Sequence, residues 1–175
     1  MRLVYLDECG FSPSQPVTAT WVLRGRRKRV PYENPEGRRV NALAGLLRMA
    51  GASDLCWTTK PKAFVAEEVV QFLRALPAVA VPTVVVLDNA GIHRSKVVRA
   101  AVPELWARRV YLYYLPPYSP ELNAIEPRFR VMKHHELPER RYATVAALTA
   151  AVQIGFTNDR ARLHAKSPAQ PRPAA

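Results

Sequence analysis

The chain has 175 residues, and 26 lysines and arginines against 14 aspartates and glutamates give it a formal net charge of +12. This is the length of one domain, and it is large enough to fold without disulfides or a structural metal. The apolar fraction of 49 % excludes a disordered protein. A pI near 10.3 indicates a polyanionic partner, with nucleic acid favoured over an anionic membrane surface.

The cysteines and the apolar stretches exclude several further classes. The two cysteines have no CxxC spacing, which favours buried reduced thiols over a disulfide or a zinc site. The apolar start at residues 3–6 is too short for a signal peptide. Residues 75–87 contain two prolines and fall short of the roughly 20 residues that span a membrane. We therefore expect a cytoplasmic protein with no membrane partner.

Five segments rich in apolar, β-branched or aromatic residues predict strands in the first part of the chain. They are RLVYLDE (residues 2–8), TWVLRG (20–25), RKRVPY (27–32), the stretch 38–51 and LCWTT (55–59). The second and third are joined around Gly25. The fourth runs into a turn at Gly51.

From residue 63 onward, helices and strands alternate. The predicted elements are a helix over residues 63–76, a strand over 83–88, a helix over 95–109, a strand over 110–115 and helices over about 124–135 and 144–156. Ser95 and Thr144 are the predicted N-caps, and Pro103 limits or kinks its helix. From Asn158 onward, the basic, proline-containing end predicts a disordered tail.

This order of elements predicts an α/β domain in which a mixed sheet is flanked by helices. The strand–helix–strand alternation in the second half requires parallel strands, and the hairpin-like strands at the front add antiparallel ones. We expect the domain to cover residues 1–157 and the tail to cover 158–175.

Three carboxylates stand at unusual places in this order. Asp7 ends the strand LVYLD, and Asp88 ends the strand VVVLD, so both point into one region if the strands are neighbours. Glu126 lies at a helix start, because Pro127 lacks the N–H of an interior helical position and must fall in the first turn. Three converging carboxylates repel one another without a cation, and such oxygen ligands suit Mg²⁺ or Mn²⁺.

Two such ions about 4 Å apart activate a water and stabilise the leaving oxygen in phosphodiester cleavage. The basic residues elsewhere would then contact DNA phosphates. On the pattern alone, the alternative is that Asp7 and Asp88 cap local loops or helices and that Glu126 is a surface residue.

Three segments, in this order, carry a family resemblance: YLDECGFS, VVVLDNAGIHRS and LPPYSPELNAIEPRFRVMK. They are similar to the three signature blocks of DDE transposases of the bacterial insertion-sequence branch of the Tc/mariner superfamily. The resemblance covers roughly residues 3–150. It implies a ribonuclease-H-like fold. It also implies that Asp7, Asp88 and Glu126 are the catalytic, metal-binding triad and that two Mg²⁺ or Mn²⁺ ions bind there.

The resemblance also implies the reaction and the partners. A DDE transposase cleaves DNA at the ends of its element and joins the freed 3′-OH to target DNA. A homodimer on paired ends, associated with the nucleoid, is expected. Enzymes of this type carry N-terminal helix-turn-helix domains, whereas the first catalytic strand starts here at Leu3. We therefore expect a helix-turn-helix part that is separately encoded or fused by frameshifting.

Several neighbours of the triad are candidates for supporting roles. Asn89 and His93 lie in the DNAGIH block, close to the metals or the scissile phosphate, although His93 alternatively only fixes the loop after its strand. Asn123 either caps the following helix or orients Glu126. Lys133 either contacts a phosphate or belongs to a solvated helix face.

A run of five positive charges is the candidate DNA contact outside the triad. It comprises Arg24, Arg26, Arg27, Lys28 and Arg29, at a predicted hairpin turn. A purely solvated turn is the alternative explanation of such a run.

Three functions compete at this stage. The first is the catalytic domain of a DDE transposase, that is, a two-metal-ion DNA endonuclease and strand transferase. The second is a catalytically inactive, truncated remnant that binds DNA without sequence preference. The third, a ribonuclease-H-like nuclease unrelated to transposition, is disfavoured by the PPYSPELN block.

We predict that replacing the five residues of the basic run by serine weakens DNA binding at low salt and flattens its salt dependence. The slope of log K against log[salt] is negative, and each lost phosphate contact reduces its magnitude by about 0.9 for duplex DNA. Fluorescence anisotropy over a salt series measures both quantities. An unchanged slope would show that the run is only a solvated turn.

Overall fold

The structure, a computed structural model, describes residues 1–13, 22–26, 39–137 and 142–166. Five strands form one mixed sheet in the order β3-β2-β1-β4-β5. They are β1 (Arg2–Phe11), β2 (Val40–Met49), β3 (Ala52–Lys60), β4 (Thr83–Leu87) and β5 (Val110–Tyr114). β1, β2 and β3 pair antiparallel, whereas β4 pairs parallel with both β1 and β5. The predicted mixed sheet is confirmed.

In the described part of the chain, four α-helices flank the sheet. They are α1 (Ala66–Ala75), α2 (Lys96–Ala107), α3 (Glu126–Val131) and α4 (Val145–Lys166). A 3₁₀ turn at Pro120–Leu122 precedes α3, and a π-helical turn at Met132–Glu136 follows it. The predicted N-caps are confirmed, because the Val98 N–H donates to Ser95 Oγ at 3.2 Å and the Ala147 N–H donates to Thr144 Oγ1 at 3.1 Å.

Alternation of side chains along the strands divides the core into two layers. On one face, Val4 and Leu6 of β1 pack with α1 and α2 through residues such as Leu73 and Leu105. On the other face, Phe11 packs with α3 and α4. There Phe156 of α4 lies edge-on to Phe11, with ring centroids 6.1 Å apart, and stacks on Trp57 at 5.2 Å. Both faces of β1 are therefore buried.

A two-residue turn connects β2 to β3. Ala50 and Gly51 have φ angles of 50° and 81°, the pair of positive values that a type I′ hairpin turn requires. Gly51 adopts this conformation without a steric penalty from Cβ. The predicted turn at Gly51 is confirmed.

Two predictions about local structure are wrong. Residues 22–26 form a turn at Arg24 and Gly25, and the predicted strand over residues 20–25 is absent from this described part, where Leu23 is exposed and has no sheet to pack on. Residues 14–21 and 27–38, with the strand predicted over 27–32, lie outside the described residues.

The predicted disordered tail is wrong for residues 158–166, which continue α4 to Lys166. The charges that indicated disorder hold this end of the helix in place. Asp159 is fully buried and forms an ion pair with Arg128, and Arg160 forms one with Asp54 at 2.6 Å. Residues 167–175 lie outside the described part of the chain.

No helix within the described ranges is both long and apolar enough to cross a membrane. Both cysteines, Cys9 and Cys56, are free thiols, as predicted.

We predict that Gly155→Ala destabilises the fold, because α4 packs closely on the π-helical turn at this glycine. A Cβ at position 155 would lie 2.8 Å from Met132 Cε and 3.0 Å from Glu136 Cβ. Overpacking should cost about 1–3 kcal/mol and exceed the helix-propensity gain of about 1 kcal/mol. Urea unfolding measures the difference.

Gly91→Ala is the matched control, because a Cβ there meets nothing within 4 Å. Its free energy of unfolding should change by less than about 0.5 kcal/mol. A Gly155→Ala protein as stable as this control would contradict the predicted close contact.

Candidate active site

The register between β1 and β4 brings two of the three predicted carboxylates together. The strands run parallel, with Tyr5 paired to Val86. Side chains two residues apart on a strand share a face, so Asp7 and Asp88, each two positions further on, lie side by side on the face of Tyr5. This is the face on which α3 and α4 pack.

Glu126 reaches the same place from α3, of which it is the first residue, as predicted. Ile125 and Phe129 anchor this helix in the core with exposures of 0 % and 3 %. Asp7, Asp88 and Glu126 line one cavity of about 430 Å³. The three carboxylates predicted from separate segments therefore face a common space.

Asp7 accepts two hydrogen bonds and has a strongly raised pKa. Its Oδ1 accepts a hydrogen bond from the Glu8 N–H at 2.7 Å, and its Oδ2 accepts one from Asn123 Nδ2 at 3.2 Å. Burial is the largest cause of a raised pKa at Asp7, and the negative charges of Asp88, Glu126 and Glu8 add to it. Against the lowering effect of the Glu8 N–H bond, they raise the pKa from its usual 3.8 to about 7. The site thus disfavours a third negative charge unless a cation is bound.

Asp88 is more open, with a side chain 47 % exposed. Its Oδ1 accepts a hydrogen bond from the Ala90 N–H at 2.9 Å and lies 2.7 Å from Nδ1 of His93. These two contacts hold Oδ1 of Asp88, and the residue lines the cavity.

His93 lies between the carboxylates of Asp88 and Glu8. Its imidazole is fully buried, and its Nε2 lies 3.2 Å from Glu8 Oε2. Burial lowers the pKa of His93, but the hydrogen bonds and charges of Glu8 and Asp88 outweigh it and raise the pKa above 6.5. The imidazole therefore lies between two acids whose charges favour its protonated form.

The sequence indicated His93 but assigned no role to Glu8. Adjacent strand residues point to opposite faces, so Asp7 faces α3 whereas Glu8 faces the start of α2, where His93 lies. Two consecutive acids in the predicted strand LVYLDE already indicate one carboxylate on each face of the sheet.

The two predicted asparagines fix the loop that joins β5 to α3. Asn89 Nδ2 donates to the Leu115 carbonyl at 2.5 Å, at the beginning of the loop. Asn123, at its end, is 2 % exposed, and its Oδ1 has no hydrogen-bond partner within the described residues. Through Asn123 Nδ2 the loop is bonded to Asp7. The predicted alternatives for Asn123 were a cap of the following helix and a group that orients Glu126. Its side chain contacts Asp7, and its backbone carbonyl accepts a hydrogen bond from the Glu126 N–H at 3.0 Å.

The predicted DNA contacts are only partly described. Arg24 and Arg26 are exposed at the turn, and Arg27, Lys28 and Arg29 lie outside the described residues. Lys133 does not extend from a solvated helix face. It lies over the ring of Phe11, with Nζ 6.0 Å from the centroid, on the side of the sheet that carries Asp7.

The carboxylates line a common cavity without forming a closed ligand set. Among residues 1–13, 22–26, 39–137 and 142–166, no three His, Cys, Asp or Glu side chains are positioned together to hold a metal ion. Hydrogen bonds to the backbone, Asn123 and His93 occupy oxygens of Asp7 and Asp88.

Comparison with known proteins identifies the family. The family model described as "DDE superfamily endonuclease" matches residues 2–149, most of the chain. The chain belongs to the DDE superfamily endonucleases. No curated protein matches its sequence.

Solved structures share the fold of this DDE endonuclease domain. The Mos1 mariner paired end complex with Mn matches with a TM-score of 0.66 at 17 % identity, covering 93 % of this chain and 50 % of that chain. The corresponding complex with Mg matches with a TM-score of 0.63 at 19 % identity, covering 93 % and 50 %. The Mos1 strand transfer complex matches with a TM-score of 0.59 at 16 % identity, covering 97 % and 56 %. The predicted ribonuclease-H-like fold class is confirmed. The chain spans about half the length of these Mos1 chains.

We predict that Asp7→Asn stabilises the metal-free DDE endonuclease domain at about pH 8. A carboxyl whose pKa is raised to about 7 by folding makes the folded state lose stability as the pH rises from about 4 to about 7. Removing the charge should add about 1–3 kcal/mol to the free energy of unfolding at about pH 8 and little at about pH 4. Urea unfolding with a chelator present measures it.

Asp54→Asn is the control of opposite sign. Burial opposes ionisation of Asp54, but Arg160 and His164 outweigh it and lower its pKa, so this variant should lose stability at neutral pH. Equal stability of Asp7→Asn and the unmodified protein at about pH 8 would show that Asp7 ionises in the folded chain without cost.

Proposed function

We propose that this chain is the catalytic domain of a DDE transposase of the bacterial insertion-sequence branch of the Tc/mariner superfamily. It would cleave DNA at the ends of an insertion sequence and transfer the freed strand to target DNA. One observation carries the proposal: Asp7, Asp88 and Glu126 line a single cavity in a chain whose family match spans residues 2–149.

In this proposal the three carboxylates hold divalent cations, Mg²⁺ or Mn²⁺, and two ions are expected. The donor set fits such ions, because hard oxygen ligands suit them. Burial, followed by neighbouring negative charge, raises the pKa of Asp7, and a bound cation would offset both. The buried, unpartnered Oδ1 of Asn123 is a further oxygen beside Asp7. The Mos1 complexes with Mn and with Mg support this choice of metal.

The bound cations would supply the Lewis acidity that activates the attacking oxygen and stabilises the leaving oxygen of the phosphodiester. The residues of the chain provide the geometry. Asn123 and the Glu8 N–H fix Asp7. The Ala90 N–H and the imidazole of His93 fix Asp88. Glu126 is exposed at the first turn of α3, at the side of the cavity open to a substrate.

The partners follow from charge and from the structural neighbours. A net charge of +12 around a negative cluster favours binding of a polyanion, with the acids reserved for the reacting phosphate. The Mos1 neighbours are a paired end complex and a strand transfer complex, which supports element ends and target DNA as substrates and a homodimer on paired ends as the assembly.

The catalytic domain is proposed to comprise residues 1–157 together with the continuation of α4 to Lys166. We propose a helix-turn-helix part as the partner that recognises the element ends. An overlapping upstream reading frame that encodes such domains would support this assignment. We expect the protein to act in the cytoplasm, at the nucleoid.

The test is metal-dependent nicking of a supercoiled plasmid that carries the coding sequence with its flanking DNA. We predict nicking with Mn²⁺ or Mg²⁺ and its loss on adding a chelator. The nicking rate should decrease by about 100-fold or more in Asp88→Ala, because this variant lacks one of the proposed ligands of the cations that stabilise the transition state. Glu67→Ala, which removes an exposed carboxylate on α1, is the matched control and should nick normally.

Nicking that survives Asp88→Ala would contradict the assignment of the triad. A protein that binds the plasmid and never nicks it would be the inactive DNA-binding remnant. Linearised products joined to a second DNA would extend the result from cleavage to strand transfer.

A further inference from the structure

The loop between β5 and α3 presents one aromatic side chain entirely to solvent. Tyr118, in the sequence PPYSP, is 101 % exposed, the highest exposure among the large hydrophobic residues that the structure describes. Tyrosine buries a large apolar ring when it packs in a protein, so full exposure leaves that surface without a partner in the chain. The ring therefore contributes nothing to the core.

The backbone at Tyr118 is also in an unfavourable conformation. Its φ of 56° lies in the left-handed region, where glycine and asparagine are favoured and a bulky residue is uncommon. Residues held in such conformations cluster at ligand-binding and catalytic sites, where the surrounding structure keeps them in place. The strained backbone at Tyr118 therefore positions a side chain that packs on no described part of the protein.

The surrounding loop has the stiffness to hold this conformation. Pro116, Pro117 and Pro120 fix three φ angles near −65°. The Leu122 and Asn123 N–H groups donate to the carbonyls of Ser119 and Pro120 at 3.1 and 2.9 Å, closing the 3₁₀ turn. Tyr118 thus stands on a loop with few alternative conformations.

One end of this loop is bonded to the neighbours of Asp88, and the other end is bonded to Asp7 itself. At the β5 end, Leu115 donates its N–H to the Leu87 carbonyl at 2.8 Å and accepts from Asn89, the neighbour of Asp88. At the α3 end, Asn123 donates to Asp7. The position of Tyr118 is therefore fixed relative to the carboxylates.

Tyr118 lines the same cavity of about 430 Å³ as Asp7, Asp88 and Glu126. Two other exposed tyrosines, Tyr111 and Tyr113, lie on β5 and are not among the residues that line this cavity. An aromatic ring and a phosphate-handling cluster on one cavity match the two parts of a nucleotide, a flat apolar base and an anionic phosphate.

We propose that Tyr118 stacks on a nucleobase next to the phosphate that is held at Asp7, Asp88 and Glu126, and that this base is unpaired when it does so. The inference rests on the proposed function and adds to it a contact with the base. Stacking on an aromatic ring tolerates any base, because every base has a π face, and it requires a base that has left the duplex stack. Tyr118 then positions the strand without reading its sequence.

The experiment uses the full chain with Ca²⁺ in place of Mg²⁺. Ca²⁺ takes the same oxygen ligands in a less exact geometry, so that DNA is held at the carboxylates while cutting is disfavoured. The probes are short duplexes with a single-stranded end, each carrying one 2-aminopurine at a different position along that end and at the junction. We expect quenching of 2-aminopurine at one or two adjacent positions. Anisotropy on the same probes gives the affinity, and a fully paired duplex gives the contribution of charge alone.

Tyr118→Gly removes the ring and suits the positive φ, so it leaves the fold intact or slightly stabilised. It should abolish the position-specific quenching and weaken binding of the single-stranded probe by about 5- to 150-fold, equivalent to about 1–3 kcal/mol. Binding of the paired duplex should change less. Tyr118→Phe should restore both signals, and Tyr113→Ala, an exposed tyrosine away from the cavity, should behave as the unmodified chain.

Equal quenching and affinity in Tyr118→Gly and the unmodified chain would overturn the inference. A change in the sedimentation of Tyr118→Gly with unchanged DNA binding would also overturn it, because the ring would then contact a second copy of the chain. Quenching by Tyr118 in a protein that never nicks DNA would leave the inference standing and defeat the proposed function. Asp88-dependent nicking with no effect of Tyr118→Gly would do the reverse.

Discussion

The parallel pairing of β1 with β4 is the constraint on which the site depends. These central strands connect the antiparallel part of the sheet to the parallel part, and their register, with Tyr5 beside Val86, places Asp7 beside Asp88. Helices α1 and α2 cover one face of this pair, while α3 and α4 cover the other and supply Glu126. The two layers of the core thus hold in place strand ends whose charges repel each other.

Charge is distributed unevenly over this scaffold. Basic residues outnumber acidic ones by 12 over the chain, yet the cavity is lined by three carboxylates. A buried arginine could neutralise such a cluster permanently, but the described structure places a histidine there instead, on the far side of Asp88. Its imidazole orients one carboxylate and leaves the cavity side of the cluster negative, as a site for divalent cations requires. In the DDE endonuclease domain, the repulsion among Asp7, Asp88 and Glu126 is therefore left for a bound ligand to offset.

Much of this arrangement could be predicted from sequence, because strong local signals coincide with it. The runs ending at Asp7 and Asp88 and the proline after Glu126 fix those residues at element ends whatever the tertiary fold. The contact between Glu8 and His93 was not predictable in this way, since it depends on which face each strand residue takes and on how α2 begins. The extension of α4 was missed because a charged segment resembles a disordered one until its partners, such as Asp54 and Arg128, are known. Tyr118 was missed because a backbone angle leaves no trace in composition.

The alternation of Asp7 and Glu8 on β1 has a consequence for how this gene tolerates change. Two acids side by side suggest redundancy, yet one faces the cavity and its neighbour faces α2. Inserting or deleting a single codon upstream within β1 would preserve every charge and exchange their faces, or force a bulge that shifts the pairing with Val86. In-frame insertions or deletions of one residue in β1 should therefore abolish activity, although they leave the net charge of the strand unchanged.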